Sequence, residues 1–185
     1  MEEGTLAREI DDIAKRKKYK QNQYGDRKSR KDDYTGERVF SGNTEKAIKK
    51  HPIDKISDTD HVTPIKVVQS RYKGLSDDQQ RIIANSEHNY AITNSKLNRS
   101  KGGLENHEYL MRQTLKGENP GLKTSAKMLE KEAESRIAMR VQATAMYTEN
   151  VVHKISDTDF AMKAKGINQA GKEEAVNSAI FASAL

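Results

Sequence analysis

One histidine beside a carboxylate, with two asparagines downstream, is the part of this chain best suited to chemistry. Asp60 and His61 are adjacent, and Asn89 and Asn98 follow, nine residues apart. A histidine can take a proton from water because its pKa lies near neutrality, and carboxylate and amide oxygens are ligands that hard divalent cations prefer. A base for water and a bound cation together can hydrolyse a phosphodiester. We therefore treat these four residues as a candidate hydrolytic site.

Short β-prone segments and one capped helix must position these side chains. Pro64 interrupts the β-prone stretch that carries Asp60 and His61. Residues 90–93 predict a strand, and Asn94 predicts the cap of a helix that runs to about Lys101 and ends at Gly102-Gly103. Asn98 then lies one turn beyond Asn94, on the same helix face. The side chains nearby that suit phosphate contact are those of Arg99, Lys101 and His88.

Together the two segments resemble the HNH nuclease superfamily, whose ββα-metal core is a hairpin followed by a helix. The Asp-His-Val-x-Pro stretch at 60–64 resembles the first strand, and the stretch from Asn89 to Lys101 resembles the second strand and the helix. The final position is asparagine rather than histidine, as in the HNH domains of RNA-guided nucleases. The resemblance covers about residues 32–109. It implies an α+β fold, with a small ββα-metal (HNH) core embedded in a mainly helical chain.

The resemblance also implies a role for each residue. His61 would be the general base, and Asn89 would hold the hairpin loop and help to orient His61. Asp60 and Asn98 would bind one divalent metal, for which an all-oxygen ligand set favours Mg²⁺ or Mn²⁺ over zinc. The substrate would be DNA, with RNA left open.

Composition and charge agree with a polyanionic partner. The 185 residues carry a net charge of +6, with a pI of about 9.3. The basic excess is concentrated between residues 15 and 31, and such a cluster attracts nucleic acid or an anionic membrane surface, unless it is only a solvated arm. No cysteine is present, so disulfides and thiolate zinc sites are excluded. We recognise no signal peptide and no membrane span, which favours the cytoplasm but leaves open delivery in a phage particle or as a secreted toxin.

We expect three parts: an N-terminal helix and basic arm (1–31), the HNH domain (32–110) and a C-terminal helical extension (111–185). Helices are predicted at 5–19, 44–50, 76–86, 105–115 and 124–152, with a polar linker at 21–31 and a strand at 38–40. In the long last helix, the core face is predicted to carry Met128, Ala133, Ile137, Val141, Ala145 and Met146. The apolar tail at 175–185 suggests a docking helix or a fragment of a longer protein.

A hexapeptide occurs twice. The sequence Lys-Ile-Ser-Asp-Thr-Asp at residues 55–60 recurs at 154–159, where Phe160 replaces the histidine. The second copy therefore cannot supply the same base, and we assign it no chemical role.

Three interpretations remain open. The first is a metal-dependent endonuclease. The second is a nucleic-acid-binding or assembly protein that keeps the HNH scaffold without its chemistry, as the long helices suggest. The third concerns context: a phage or mobile-element enzyme, or the toxin domain of a larger polypeptide with an immunity protein as its partner.

Overall fold

The computed structural model describes residues 10–41 and 49–164, with side chains up to residue 156. In these ranges the fold is α+β, as predicted, with two antiparallel two-stranded sheets among mainly helical segments. The chain divides into two compact units, Met1–Arg140 and Val141–Leu185. The three-part division at residues 31 and 110 stays a prediction.

The first unit begins with a helix and a small hairpin. Helix α1 spans Ile13–Tyr24, and strands β1 (Ser29–Lys31) and β2 (Arg38–Phe40) pair antiparallel. The strand at 38–40 was predicted, whereas a linker at 21–31 was wrong. The prediction failed because this stretch is almost entirely polar, and two tyrosines, Tyr19 and Tyr24, bury their side chains against residues distant in sequence.

A second hairpin, followed by a helix, forms the centre of the unit. Strands β3 (Ser57–His61) and β4 (Tyr90–Asn94) pair antiparallel, with Asp60 opposite Ala91. Helix α4 (Ser95–Lys101) follows β4 directly, and the side chain of Asn94 caps it by accepting from the N–H of Leu97 at 2.8 Å. Gly102 ends α4 with φ +59°, a backbone conformation that glycine adopts without strain. The strand, the cap and the helix end were all predicted.

Two helices connect β3 to β4. Helix α2 spans Ile65–Arg71, and α3 spans Asp77–Ala84. The helix predicted at 76–86 is confirmed as α3, which begins with a capping box of Ser76 and Gln79 and ends two residues earlier than predicted. Helix α2 was missed, because Pro64 was interpreted as a strand breaker although it also suits a helix start.

Helices α5 (Asn106–Leu115) and α6 (Leu122–Ala164) complete the described chain. The predicted buried face of α6 was wrong in part: Met128 is buried as predicted, but Ile137 is 66% exposed and Ala133 is exposed. The residues buried beside Met128 are Glu132, Ser135 and Met139. Two of them are polar, so hydrophobic periodicity pointed to the wrong side of the helix.

Apolar clusters pack on the two faces of the β3–β4 hairpin. Tyr90 and Ile92 pack with Tyr19 and Tyr24 of α1 on one face, and Ala91 packs with Tyr109 and others on the opposite face. Because neighbouring residues of a strand point to opposite faces, the hairpin presents alternate side chains to α1 and to the α4–α5 side.

The repeated hexapeptide adopts two structures. Its first copy includes most of β3, and its second copy lies within α6. The same six residues therefore adopt different secondary structures in different tertiary environments. The predicted helix at 44–50 falls largely outside the described residues, as do Thr5 at the predicted first helix start and the apolar tail.

Candidate functional site

Strand β3 places Asp60 and His61 on opposite faces of the hairpin. His61 pairs with Tyr90 across the strands, on the face covered by α1, and the two ring centroids lie 5.2 Å apart. Asp60 faces the other side, where Tyr34 and Lys101 contact it. The two residues are therefore adjacent in the chain without sharing one side of the sheet.

His61 is held in its neutral form. Burial, together with the nearby Arg16 guanidinium, lowers the pKa of the imidazole to about 4, while Asp60 opposes the shift. The ring nitrogen Nε2 makes a long contact of 3.5 Å with Oδ1 of Asn85. A neutral imidazole at pH 7 is the form that can accept a proton from water.

Asn85 holds Ile10 and Asp12, which precede α1, close to His61. Its Oδ1 accepts from the N–H of Asp12 at 3.0 Å and from the Tyr90 hydroxyl at 3.0 Å. Its amide nitrogen donates to the carbonyl of Ile10 at 2.6 Å. This network half-buries His61 next to α1.

The carboxylate of Asp60 is already satisfied within the protein. The Tyr34 hydroxyl donates to Oδ2 at 2.7 Å, and the ammonium of Lys101 lies 2.9 Å from Oδ2 and 3.2 Å from Oδ1. Burial raises the pKa of the Tyr34 hydroxyl well above its usual value, so this group stays a donor. Asp60 is thus the centre of a buried ion pair.

The predicted phosphate contact needs an exposed Lys101, but this residue is buried. Its side chain is fully buried, and its ammonium donates to the carbonyl of His61 at 2.9 Å as well as to Asp60. A fully buried lysine needs such a partner, because an unpaired charge is costly away from water. The surface contact is therefore replaced by an ion pair. Arg99 and His88 are exposed, and their phosphate contacts stay predictions.

The predicted metal ligands do not fit a divalent cation in this arrangement. The donor types suit a hard cation, but both oxygens of Asp60 are engaged, and a fixed positive charge lies beside them. A second cation next to the buried ammonium of Lys101 would be repelled. A metal at Asp60 therefore requires Lys101 to leave, and we derive no catalytic step through a metal.

Asn89 is a buried clamp on the segment that follows His61. Its Oδ1 accepts from the Thr63 N–H at 2.7 Å and from the Ser135 hydroxyl at 3.0 Å. Its amide nitrogen donates at 2.9 Å to the carbonyls of Thr63 and Ala84. These contacts hold the segment that follows His61, and the predicted role of Asn89 in orienting His61 stays a prediction.

Asn98 lies in a cationic cleft between α1, β3 and α4, which we call the Asn98 cleft. The cleft has a volume of about 290 Å³, and its lining residues include Asn98, Thr59, Asp58, Arg16, Lys17 and Lys20. His61 and Asp60 are not among the lining residues. The structure therefore brings Asn98 close to the cations of α1 without placing all four predicted residues in one cavity.

Sequence reasoning missed the contribution of α1 to this region. Arg16 lines the Asn98 cleft and also lowers the pKa of His61, so it links the two parts of the candidate site. Lys20 donates to the carbonyl of Ser57, and burial lowers its pKa. The basic cluster at 15–31 was the available signal, but it was interpreted as an arm and not as part of a docked helix.

A second cluster of possible metal ligands lies elsewhere, at Glu105, His107 and Glu132. Their ligand atoms all lie within 4.8 Å of one another, so the cluster could hold a metal ion. However, Arg136 contacts both glutamates at 3.1 and 2.7 Å, and Arg71 contacts Glu105 at 3.0 Å. The two arginines balance the two carboxylates, and we interpret the cluster as an ion-pair network that joins α5 to α6. Within it, Glu132 and Arg136 lie four residues apart on α6.

In the described residues, no helix is both long enough and apolar enough to cross a bilayer. Comparison with known proteins found no matching family model, no matching curated protein and no matching solved structure. The case for a function therefore depends on the site itself.

Proposed function

We propose that this chain is an HNH-type endonuclease that hydrolyses phosphodiester bonds of DNA. One observation carries the proposal: a neutral, half-buried histidine ends the first strand of an antiparallel hairpin, and the helix after that hairpin places Asn98 in a cleft with three cations. An antiparallel strand pair followed by a helix is the arrangement that the resemblance implies, and here α2 and α3 are inserted between the two strands. A base for water and a positive surface for phosphate thus occur on neighbouring elements.

The chain's own residues would divide the work as follows. His61 takes a proton from the attacking water, which its lowered pKa permits at neutral pH. Arg16, Lys17 and Lys20 attract the phosphate backbone to the Asn98 cleft. Asn89 positions the segment that follows His61.

The proposal includes Mg²⁺ or Mn²⁺, held by Asp60 and Asn98, only for a site that has rearranged. This rearrangement requires Lys101 to withdraw from Asp60, and the roles given above for His61 and the cationic cleft do not depend on it. Removal of divalent ions distinguishes the two forms of the proposal.

A second candidate function follows from the same geometry. Asp60 is engaged by Lys101 and Tyr34, and His61 does not line the Asn98 cleft. Both facts favour a protein that binds nucleic acid on an HNH scaffold and cuts nothing. Binding that depends on salt, without cleavage in any divalent metal, would support this second candidate.

The biological setting stays a proposal as well. A phage or mobile-element nuclease and the toxin domain of a larger polypeptide fit the same site, and only the toxin implies an immunity protein as partner. Toxicity on expression that a co-expressed cognate protein relieves, and that His61→Ala abolishes, would favour the toxin.

The test uses the full chain with supercoiled plasmid and, in parallel, single-stranded RNA. Each substrate is incubated with Mg²⁺, with Mn²⁺ and with EDTA, for the natural chain and for His61→Ala. The proposal predicts nicking of the plasmid by the natural chain and none by His61→Ala. Nicking that survives both EDTA and His61→Ala would overturn it, and absence of nicking under every condition would favour the second candidate.

A further inference from the structure

A second cleft, which the endonuclease proposal does not use, lies between the end of α1 and the β1–β2 hairpin. We call it the hairpin cleft, and its volume is about 760 Å³. The cations that line it without an ion pair to any carboxylate of the described residues are Arg27, Lys31, Arg38 and Lys127. The first three of these side chains are exposed, so they are available to a partner.

The two carboxylates in the hairpin cleft do not neutralise these cations. Asp32 is buried and accepts hydrogen bonds from the backbone and side chains of the turn and of β4, including the Tyr34 N–H at 2.8 Å and the Asn94 N–H at 2.7 Å. Asp33 pairs with Arg30 at 2.6 Å and accepts from the Ile92 N–H at 2.6 Å. Both acidic groups therefore hold the fold together, and the cleft keeps an excess of positive charge.

Helix α1 connects the hairpin cleft to the Asn98 cleft. Arg16 and Lys20 line the Asn98 cleft, while Gln23 and Arg27 line the hairpin cleft. Arg16, Lys20 and Gln23 are spaced by four and three residues, which places them on one side of α1. Arg27 lies beyond the helix end, where its guanidinium donates to the carbonyls of Gln23 at 3.0 Å and Tyr24 at 3.3 Å. At 1.5 Å per residue the helical stripe from Arg16 to Gln23 is about 10 Å long, comparable to about three nucleotides of one strand of B-DNA.

We propose that this stripe and the hairpin cleft form one track for the phosphate backbone of a nucleic acid that leads away from the Asn98 cleft. The identity of the partner depends on the endonuclease proposal. An anionic membrane fits less well, because a helix that lies on a membrane presents an apolar face to it. The tyrosines of α1, Tyr19 and Tyr24, are instead buried against β2 and β4.

The test compares two charge-matched triple variants. The first replaces Arg27, Lys31 and Arg38 with glutamine, and the control replaces Lys73, Arg81 and Lys116, which are exposed and lie outside both clefts. Binding to a fluorescent DNA duplex is measured by anisotropy over a series of salt concentrations, in EDTA, with circular dichroism to check that each variant is folded. Each phosphate contact contributes about 0.9 to the slope of log K against log salt.

We expect the first variant to lower the steepness of that slope by about 2 to 3, and the control to lower it by less than 1. Equal slopes for the two variants would overturn the track. A first variant that loses binding to phosphatidylserine vesicles and keeps its DNA binding would overturn it as well.

The same measurements separate this inference from the endonuclease proposal. If the natural chain nicks plasmid and the first variant binds DNA as the control does, the track fails and the endonuclease proposal stands. If the first variant loses DNA binding and the natural chain nicks nothing in any metal, the endonuclease proposal fails and the binding surface stands.

Discussion

Replacement of Lys101 by methionine should destabilise the protein strongly. Methionine keeps the length of the side chain but removes the ammonium that pairs with Asp60, and both side chains are almost completely buried. Removing one partner of a buried ion pair costs about 3 to 5 kcal/mol, because the remaining charge has no compensation. Loss of the hydrogen bond to the His61 carbonyl adds about 1 kcal/mol.

The assay is urea unfolding followed by circular dichroism, with Lys96→Met as the matched control. Lys96 lies on the same helix but is exposed, so its replacement should change the free energy of unfolding by no more than about 0.5 kcal/mol. A double variant, Asp60→Asn with Lys101→Met, should lose less stability than the two single changes added together, because it leaves no unpaired charge. A loss of stability in Lys101→Met no larger than that in Lys96→Met would refute the buried ion pair.

The Lys101→Met variant also tests the predicted metal site. With the ammonium removed, the Tyr34 hydroxyl still donates to Asp60, but no fixed positive charge repels a cation there. Mg²⁺ or Mn²⁺ should then stabilise Lys101→Met more than the natural chain, by about 2.7 kcal/mol at one hundred times the dissociation constant. An equal response of the two proteins, including no response, would contradict a metal site at Asp60.

Three further predictions concern neighbouring residues. The pKa of His61 is about 4 in the folded protein and 6.5 in the unfolded chain, so between these pH values only the unfolded chain binds the proton. The free energy of unfolding should therefore fall by up to about 3 kcal/mol as the pH drops from 6.5 to 4. Thermal unfolding at each pH measures this fall, which should be smaller in His61→Gln. The raised pKa values of Asp11 and Asp33 increase stability as the pH falls, so the quantity to compare is the difference in stability between the natural chain and His61→Gln. Parallel curves of stability against pH for these two proteins would argue against a buried neutral His61. Asn89→Ala leaves buried partners on Thr63, Ala84 and Ser135 unsatisfied and should cost about 2 to 4 kcal/mol by urea unfolding, whereas a cost below about 0.5 kcal/mol would show that the clamp is not needed. Isothermal titration of the natural chain with Zn²⁺ should show no tight binding at the cluster of Glu105, His107 and Glu132, because arginines already balance its carboxylates. Tight binding that is lost in Glu132→Gln would show that the cluster is a metal site.

The sequence predicted those parts of the fold that local signals specify. Strand β4, the Asn94 cap, the glycine end of α4 and the Ser76 capping box all depend on residues a few positions apart. Burial within a predicted helix is less well specified: Ile83 of α3 is buried, whereas its neighbour Ile82 is 51% exposed.

Features that depend on distant partners were not predictable in the same way. Lys101 suited phosphate contact by its place in the motif, and only the fold shows that its long side chain reaches Asp60, 41 residues away. Glu132 and Ser135 form part of the buried face of α6 because His107 and Asn89 supply hydrogen-bond partners. Arg16 was identified only as one member of a basic run, since its proximity to His61 depends on how α1 docks on the hairpin.

The central claim is that His61 acts as the base of a phosphodiesterase. The most direct measurement is the single-turnover rate of plasmid nicking at pH 7.5 or so, compared among the natural chain, His61→Ala and the exposed-histidine control His153→Ala. Loss of a general base costs about 10²- to 10⁴-fold in rate, so His61→Ala should fall by that factor while His153→Ala nicks as fast as the natural chain. Equal nicking rates for His61→Ala and the natural chain would contradict the account.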